Sequence, residues 1–155
     1  MIKNYTSTVS LARSIAHIEE RLVKHGARQT VKTYTPGGDI EAFCFVLLVN
    51  GKEVPFKLPA RMSNCEAILK KQVVRPKPGT MDRVHEQAER TAWKLVSDWV
   101  DIQLSFVELG QAEIMEVLLP YVYDHATGKT FFEKLKGSEF KMIGMDKINN
   151  ERSET

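Results

Sequence analysis

The pattern of apolar positions in residues 1–60 predicts one helix followed by an antiparallel sheet of three strands. The helix carries apolar residues at steps of four, three and four, namely Leu11, Ile15, Ile18 and Leu22. Three strand-like runs follow, at 27–34, 40–49 and 53–58. The pair Asn50-Gly51 predicts a two-residue hairpin turn, because both residues tolerate positive φ. Pro55 has no amide hydrogen to donate to a neighbouring strand, so its strand is expected at an edge of the sheet and 40–49 in the middle.

The central run, 40–49, is apolar on both faces of the predicted strand. Phe43 and Phe45 lie on one face, and Cys44 and Val46 lie on the other. Such a strand is typical of a sheet that is covered on both sides. Two arrangements provide this cover: the first helix on one face with a later helix on the other, or a second subunit on the second face.

The chain after residue 60 has the three- and four-residue spacing of helices. Ser63 opens a capping-box pattern for a short helix that reaches about residue 71. Thr80 is expected to cap a long helix that ends near residue 109, just before Gly110. The main apolar face of this helix is predicted to consist of Val84, Ala88, Ala92, Leu95, Trp99, Ile102 and Phe106. Shorter helices are expected around 113–119 and 130–137.

The predicted fold class is therefore α+β. Its elements are a helix, a three-stranded antiparallel meander, a short helix and one long helix packed on the sheet, and short C-terminal helices. Residues 1–137 are expected to form a single domain. Residues 138–155 are expected to form a mobile C-terminal tail, because the sequence there turns polar.

The composition, 43% hydrophobic and 27% charged residues in a chain of 155, is that of a soluble globular domain. No stretch reaches the roughly 18–20 apolar residues of a membrane helix, and the first residues lack the apolar run of a secretory signal. Cys44 and Cys65 are interpreted as reduced thiols. We therefore predict a cytoplasmic protein with no membrane contact.

Distinctive residues mark two stretches of the chain. The first contains Lys3-Asn4-Tyr5-Thr6, Lys24-His25-Gly26-Ala27, Gly51-Lys52-Glu53 and Phe56-Lys57-Leu58-Pro59. The second contains Glu89-Arg90, Ala92-Trp93-Lys94, Asp98-Trp99-Val100, Gln103-Leu104 and Leu119-Pro120-Tyr121. Over most of residues 3–122 the chain resembles a group of small uncharacterised proteins from bacteriophages and other mobile elements. The resemblance implies a mobile-element origin and no particular activity.

Charge is sorted along the chain, although the net charge is only +2. Residues 61–94 carry eight Lys/Arg against four Asp/Glu, whereas residues 95–124 carry no Lys/Arg against six Asp/Glu. The boundary falls inside the predicted long helix. Such segregation is typical of a protein with a charged partner.

The basic region is predicted to bind the phosphate backbone of a nucleic acid without reading its sequence. Its cations lie in the loop before the long helix and on one face of that helix, where flexible side chains can follow a phosphate backbone. The predicted contact residues are Arg61, Lys70, Lys71, Arg75, Lys77, Arg83, Arg90 and Lys94. Two other interpretations are a solvated surface balanced by neighbouring carboxylates, and a site for an acidic protein.

The alternative hypothesis is a protein-interaction module without nucleic-acid contact. It would dock on a host protein or form a homo-oligomer through the wide apolar sector of residues 93–107 and the acidic face beside it. The predicted partner-binding residues are Trp93, Asp98, Asp101 and Glu108.

The sequence predicts no catalytic residue, no metal and no cofactor. The segment His85-Glu86-Gln87-Ala88-Glu89 has a glutamate where a zinc-protease helix has its second histidine. Gly128-Lys129-Thr130 lacks the earlier glycine of a phosphate-binding loop. The chain is therefore predicted not to be an enzyme.

Overall fold

The computed structural model describes residues 1–144 and has the predicted α+β architecture. Its helices and strands are α1 (Leu11–Lys24), β1 (Gln29–Tyr34), β2 (Ile40–Val49), β3 (Lys52–Pro59), α2 (Met62–Lys70), α3 (Thr80–Glu108), α4 (Ile114–Leu118) and α5 (Phe131–Gly137). Two short 3-10 turns, Leu119–Tyr121 and Lys141–Ile143, follow α4 and α5. No helix within 1–144 combines the length and the apolar composition needed to cross a membrane.

The sheet is an antiparallel meander in the order β1-β2-β3, as the sequence predicts. Asn50 (φ 51°) and Gly51 (φ 77°) form the tight turn between β2 and β3, and both have the positive φ that this turn requires. Pro55 lies in the edge strand β3, where its missing amide hydrogen interrupts no ladder to a further strand. Its carbonyl accepts a hydrogen bond from the Tyr123 amide (3.1 Å), so the segment after α4 borders this edge.

Both main helices lie on the same face of the sheet. One core contains residues of that face, of α1 and of α3, including Phe43, Phe45, Leu47, Phe56, Ile15, Ile18, Leu22, Trp93, Val100 and Leu104. On the other face Tyr123 lies against Cys44, whereas Val31 and Leu48 are exposed. The expectation of one helix on each face is wrong, because α1 and α3 pack beside each other rather than across the sheet.

Helix α3 changes its buried face along its length. In its first half Ala88 and Ala92 are buried against Cys65 and Leu69 of α2. In its second half the buried residues are Trp93, Ser97, Val100 and Leu104, which face the sheet and α1. The predicted continuous apolar face through Ile102 and Phe106 is therefore wrong for the second half, where these two side chains are 53% and 42% exposed. The helix carries two apolar stripes, and its neighbours determine which one is covered.

The sequence predicted some helix starts correctly and others wrongly. Thr130 and Glu133 form the expected capping box of α5. The capping box expected at Ser63 is wrong, because the N-cap of α2 is Arg61, two residues earlier and in a left-handed conformation. Thr80 is the first residue of α3, and its hydroxyl accepts a hydrogen bond from the Lys77 amide at 2.8 Å.

The predicted tail begins inside the described chain. Residues 138–144 continue from α5 into the 3-10 turn, and the Phe140 ring packs at 6.2 Å from that of Phe132. Residues 145–155, the rest of the predicted mobile tail, lie outside the described residues. The domain boundary at residue 137 stays a prediction.

Candidate nucleic-acid interface

The carboxylates in the second half of α3 are paired with α1. Asp101 Oδ2 forms a hydrogen bond with His17 Nε2 at 2.6 Å, and Asp101 Oδ1 forms an ion pair with Arg21 Nε at 2.9 Å. Glu108 Oε1 accepts hydrogen bonds from Arg21 Nη1 and His25 Nε2, both at 2.8 Å. These hydrogen bonds hold the pKa of Glu108 below its usual value. Because residue numbers rise together in both helices, α1 and α3 run parallel.

Asp98 is paired with the N-terminal segment and with its own helix. Its carboxylate accepts a hydrogen bond from Asn4 Nδ2 (2.9 Å), lies 3.3 Å from Lys3 Nζ, and pairs with Lys94 one turn earlier. Burial acts to raise the pKa of Asp98, but the hydrogen bonds from Lys94, Asn4 and Lys3 outweigh burial and lower it. All three acidic residues predicted to bind a partner therefore already have partners inside the chain.

Trp93, the fourth predicted partner-binding residue, is a core residue. Its side chain is 0% exposed, and its indole Nε1 donates a hydrogen bond to the Ile40 carbonyl at 3.3 Å. The prediction of a partner contact at Trp93 is wrong, because the side chain has no surface to offer. The acidic side of α3 is an interface within the chain rather than a docking face.

The basic half of α3 and the loop before it have a different environment. Lys71, Arg75 and Lys77 are exposed in the loop between α2 and α3, and Arg83 is exposed in the first turns of α3. None of these four cations forms an ion pair within residues 1–144. Their charge is therefore available to an external anion. We call these four residues and Arg90 the basic surface.

Three of the eight predicted nucleic-acid contacts lie apart or are paired. Lys70 Nζ is 2.7 Å from Glu66, and Lys94 pairs with Asp98. Arg61 precedes α2, nine residues and about 14 Å of helix from Lys70. It lines a separate cavity with Glu66. The other five lie in the loop between α2 and α3 or on the first half of α3, and none forms an ion pair within residues 1–144.

A groove of about 530 Å³ adjoins the basic surface and includes a residue that the sequence did not single out. Its walls include Tyr5, Gln72, Arg83, Glu86, Gln87 and Arg90. The side chain of Gln87 accepts a hydrogen bond from Arg90 (2.6 Å) and donates one to the Ser7 carbonyl (3.2 Å). These contacts hold the N-terminal segment across α3 and place the 37%-exposed Tyr5 near two arginines. No local sequence signal predicts this contact, because Tyr5 is about 80 residues away.

His85 joins three parts of the fold behind this groove. Its Nδ1 lies 3.1 Å from Glu66 of α2, and its Nε2 lies 3.2 Å from Asp39 of the turn before β2. Hydrogen bonds to Asp39 and Glu66 raise the pKa of His85. Burial raises the pKa of the nearby Glu89. Within residues 1–144 no three His, Cys, Asp or Glu side chains form a cluster that could hold a metal ion.

Both cysteines are free thiols in the interior. Cys44 is 6% and Cys65 7% exposed. Burial raises the pKa of each thiol, which disfavours the reactive thiolate. Neither residue takes part in the basic surface.

Comparison with known proteins found no match to a protein-family model, to a curated protein or to a solved structure. The arrangement that carries chemistry is an exposed set of cations beside a groove with one aromatic side chain, which suits the binding of a polyanion.

Proposed function

We propose that the protein binds nucleic acid non-specifically, through phosphates, on the basic surface formed by Lys71, Arg75, Lys77, Arg83 and Arg90. The observation that supports this proposal is the difference in pairing between the two charged regions. Three carboxylates of the acidic region, Asp98, Asp101 and Glu108, form ion pairs within the fold, whereas none of the five cations of the basic surface forms one within residues 1–144. A positive potential therefore remains on the folded surface.

The groove suggests how a single strand is held. A base stacked on an aromatic side chain gains about 1–3 kcal/mol. Tyr5 offers such a ring in the groove that Arg83 and Arg90 also line. Glu86 also lines the groove and repels a phosphate, so the phosphates are assigned to the loop at 71–79 and a base to Tyr5.

The biological setting of this proposal follows from the resemblance to bacteriophage and mobile-element proteins. A small accessory protein of such an element would meet nucleic acid in the cytoplasm of the host cell. Binding through phosphates would suit a protein that covers or guides a strand whatever its sequence.

Salt-dependent binding tests the proposal. Fluorescence anisotropy would measure the affinity for labelled single- and double-stranded DNA and RNA between 50 and 200 mM salt. Each phosphate contact contributes about 0.7–0.9 to the slope of log affinity against log salt. The triple variant Lys71→Ala, Arg75→Ala, Lys77→Ala is expected to lower this slope by about 2 and the affinity by roughly tenfold or more at 50 mM salt.

A matched control removes the same charge elsewhere. Lys32, Lys52 and Lys129 are exposed and lie outside the basic surface, so replacing all three with Ala is expected to leave most of the affinity. Equal losses in both triple variants would assign binding to net charge and end the proposal of a site. Absence of binding at 50 mM salt would end the proposal of nucleic-acid binding altogether.

Tyr5→Ala is expected to weaken single-strand binding more than Tyr5→Phe, because only Phe keeps the stacking ring.

The alternative function, a protein-interaction module without nucleic-acid contact, has one observation in its favour. Ile102, Phe106 and Leu109 on the outer side of α3 are 53%, 42% and 73% exposed. A pull-down from host lysate, with and without nuclease, separates the two functions. Capture that depends on nucleic acid supports the first function, and capture that survives nuclease and the basic triple variant supports the second.

A further inference from the structure

The second half of α3 carries an uncovered apolar stripe. Its residues recur at steps of four, three, four and three, and we call Leu95, Trp99, Ile102, Phe106 and Leu109 the outer stripe. The last three are large exposed side chains, and the first two are partly buried. The spacing is that of the contact seam between two packed helices. Within residues 1–144, however, Ile102, Phe106 and Leu109 of this stripe stay exposed.

An apolar groove of about 410 Å³ runs beside the outer stripe. Its floor includes Leu95 and Trp99, and its opposite wall consists of Leu58, Pro59, Ala60 and Tyr121. The Trp99 ring meets the Tyr121 ring edge-on, with the centroids 5.2 Å apart. The charged residues on its lining, Lys3 and Asp98, pair with each other at 3.3 Å. The groove therefore accepts apolar side chains without leaving a charge unpaired.

The outer stripe continues an interface that exists inside the chain. One and two turns earlier, Ala92 and Ala88 lie on the same side of α3 and are covered by α2 through Cys65 and Leu69. Because α2 starts at Met62, its cover ends near Ala92. The partner that fits the uncovered continuation has the shape of a helix.

We propose that this partner is α3 of a second copy of the chain, packed antiparallel around a two-fold axis at Ile102. Read from the other end, the 4-3-4-3 spacing becomes 3-4-3-4, which keeps the alternation of threes and fours, so an antiparallel copy presents a matching seam. Leu95 then meets Leu109 of the second copy, Trp99 meets its Phe106, and Ile102 meets its counterpart. Each bulky ring faces another ring, and each leucine faces a leucine.

The charge distribution permits this self-association. Residues 95–128 contain no Lys or Arg. The neighbouring carboxylates Asp98, Asp101 and Glu108 are neutralised within their own chain. Two identical acidic surfaces would otherwise repel each other when brought together. The internal pairing thus removes the main obstacle to a symmetric contact.

The inference does not rest on nucleic-acid binding. Arg83 and Ile102 are 19 residues apart on one helix, or about 28 Å. The basic surface therefore stays open when the outer stripe is covered. In the antiparallel arrangement the two basic surfaces lie at opposite ends of the dimer.

Sedimentation equilibrium of the nuclease-treated full chain tests the proposal. The chain has a mass of 17.6 kDa, and we expect twice this mass at micromolar concentration. Ile102→Asp and Phe106→Asp are each expected to weaken self-association by about 30-fold or more, as for a residue at an interface centre. Val23→Asp is the matched control, because Val23 on α1 is also 53% exposed but lies off the stripe. All three side chains are exposed, and circular dichroism would verify that each variant folds.

Three outcomes would overturn the proposal: a monomer at all concentrations up to several hundred micromolar, a larger closed oligomer, or a dimer that Ile102→Asp leaves intact.

The orientation of the two helices is tested by cross-linking. The double variant Leu95→Cys, Leu109→Cys is expected to form disulfide-linked dimers, whereas Leu95→Cys alone is not. Its two new thiols are about 21 Å apart within one chain, too far to pair internally. A dimer cross-linked by Leu95→Cys alone would indicate parallel helices and overturn the antiparallel arrangement. Nucleic-acid binding by Ile102→Asp would be unaffected, so failure of either proposal leaves the other standing.

Discussion

The two halves of α3 carry opposite charge, and the structure uses them in opposite ways. In the first half, Ala88 and Ala92 let α2 pack closely while Arg83 remains exposed and without an ion-pair partner within residues 1–144. In the second half the carboxylates are paired, and it is apolar surface, at Ile102 and Phe106, that remains open. A charged helix face is thus available to a partner only where no neighbouring helix has already neutralised it.

The neighbour that neutralises the acidic half is α1. His17, Arg21 and His25 recur every four residues, so they form one row along α1. Asp101 and Glu108 are seven residues apart on α3 and meet this row at both ends. Complementary rows of this kind fix the register of two parallel helices. The charge segregation in the sequence is therefore partly a feature of folding.

The largest expected effect contrasts the two tryptophans of α3. Trp93→Ala removes a fully buried ring and its hydrogen bond to Ile40, and is expected to lower the free energy of unfolding by about 3–5 kcal/mol. Trp99→Ala removes a ring that is still partly exposed, so the loss is expected to be clearly smaller. Urea denaturation followed by circular dichroism measures both. Equal losses would contradict the assignment of Trp93 to the core and Trp99 to the open side.

A smaller effect is expected at the contact between α1 and the acidic half. Arg21 bridges Asp101 and Glu108, and Arg21→Ala is expected to lower the free energy of unfolding by about 1 kcal/mol. The difference from the wild type should shrink in 1 M salt, because salt screens ion pairs near the surface. Arg13→Ala on the same helix is the control, since Arg13 is exposed and forms no ion pair within the described residues. A loss that salt does not change would mean that Arg21 acts by packing.

The smallest expected effect concerns His85 in the basic half. Its pKa is raised in the folded state by Asp39 and Glu66, so its contribution to stability is fully present below the unfolded value of about 6.5. That contribution is lost as the pH rises through the folded pKa. The wild type is therefore expected to have a higher free energy of unfolding than His85→Gln at about pH 5.5, and this difference is expected to be smaller at about pH 8.5. Because the ring is 38% exposed, the change is expected to stay under roughly 1 kcal/mol.

Urea denaturation of both proteins at the two pH values measures this change. The other three histidines are present in both proteins, so the difference in stability isolates His85. A difference that does not vary with pH would show that the ring contributes through packing alone.

Local chemistry predicted much of the fold. The turn at Asn50-Gly51 and the edge position of β3 follow from single-residue properties, positive φ in one case and the missing amide hydrogen of Pro55 in the other. The capping box at Thr130 and Glu133 is equally local. The start of α2 was missed, because Arg61 takes a left-handed conformation for which its side chain gives no signal.

The candidate site was predicted in part. The exposed cations of the loop, Lys71, Arg75 and Lys77, could be recognised from a Pro/Gly-containing segment that has no apolar period. Lys70 and Lys94, by contrast, pair with Glu66 and Asp98, carboxylates that lie one helical turn away. Tyr5 reaches the groove only because the N-terminal segment crosses α3.

By itself, the sequence determined the order of the elements, the middle position of β2 and the existence of a basic and an acidic region, because each depends on neighbours within a few residues. Only the tertiary structure decided which stripe of α3 is buried, that Trp93 belongs to the core, and that Asp101 and Glu108 of the acidic region pair with α1. Two stripes of similar hydrophobicity have similar gains on burial, so the packing of α1 and α2 selects between them. The same selection leaves the outer stripe uncovered and the loop cations free of ion pairs within the described chain.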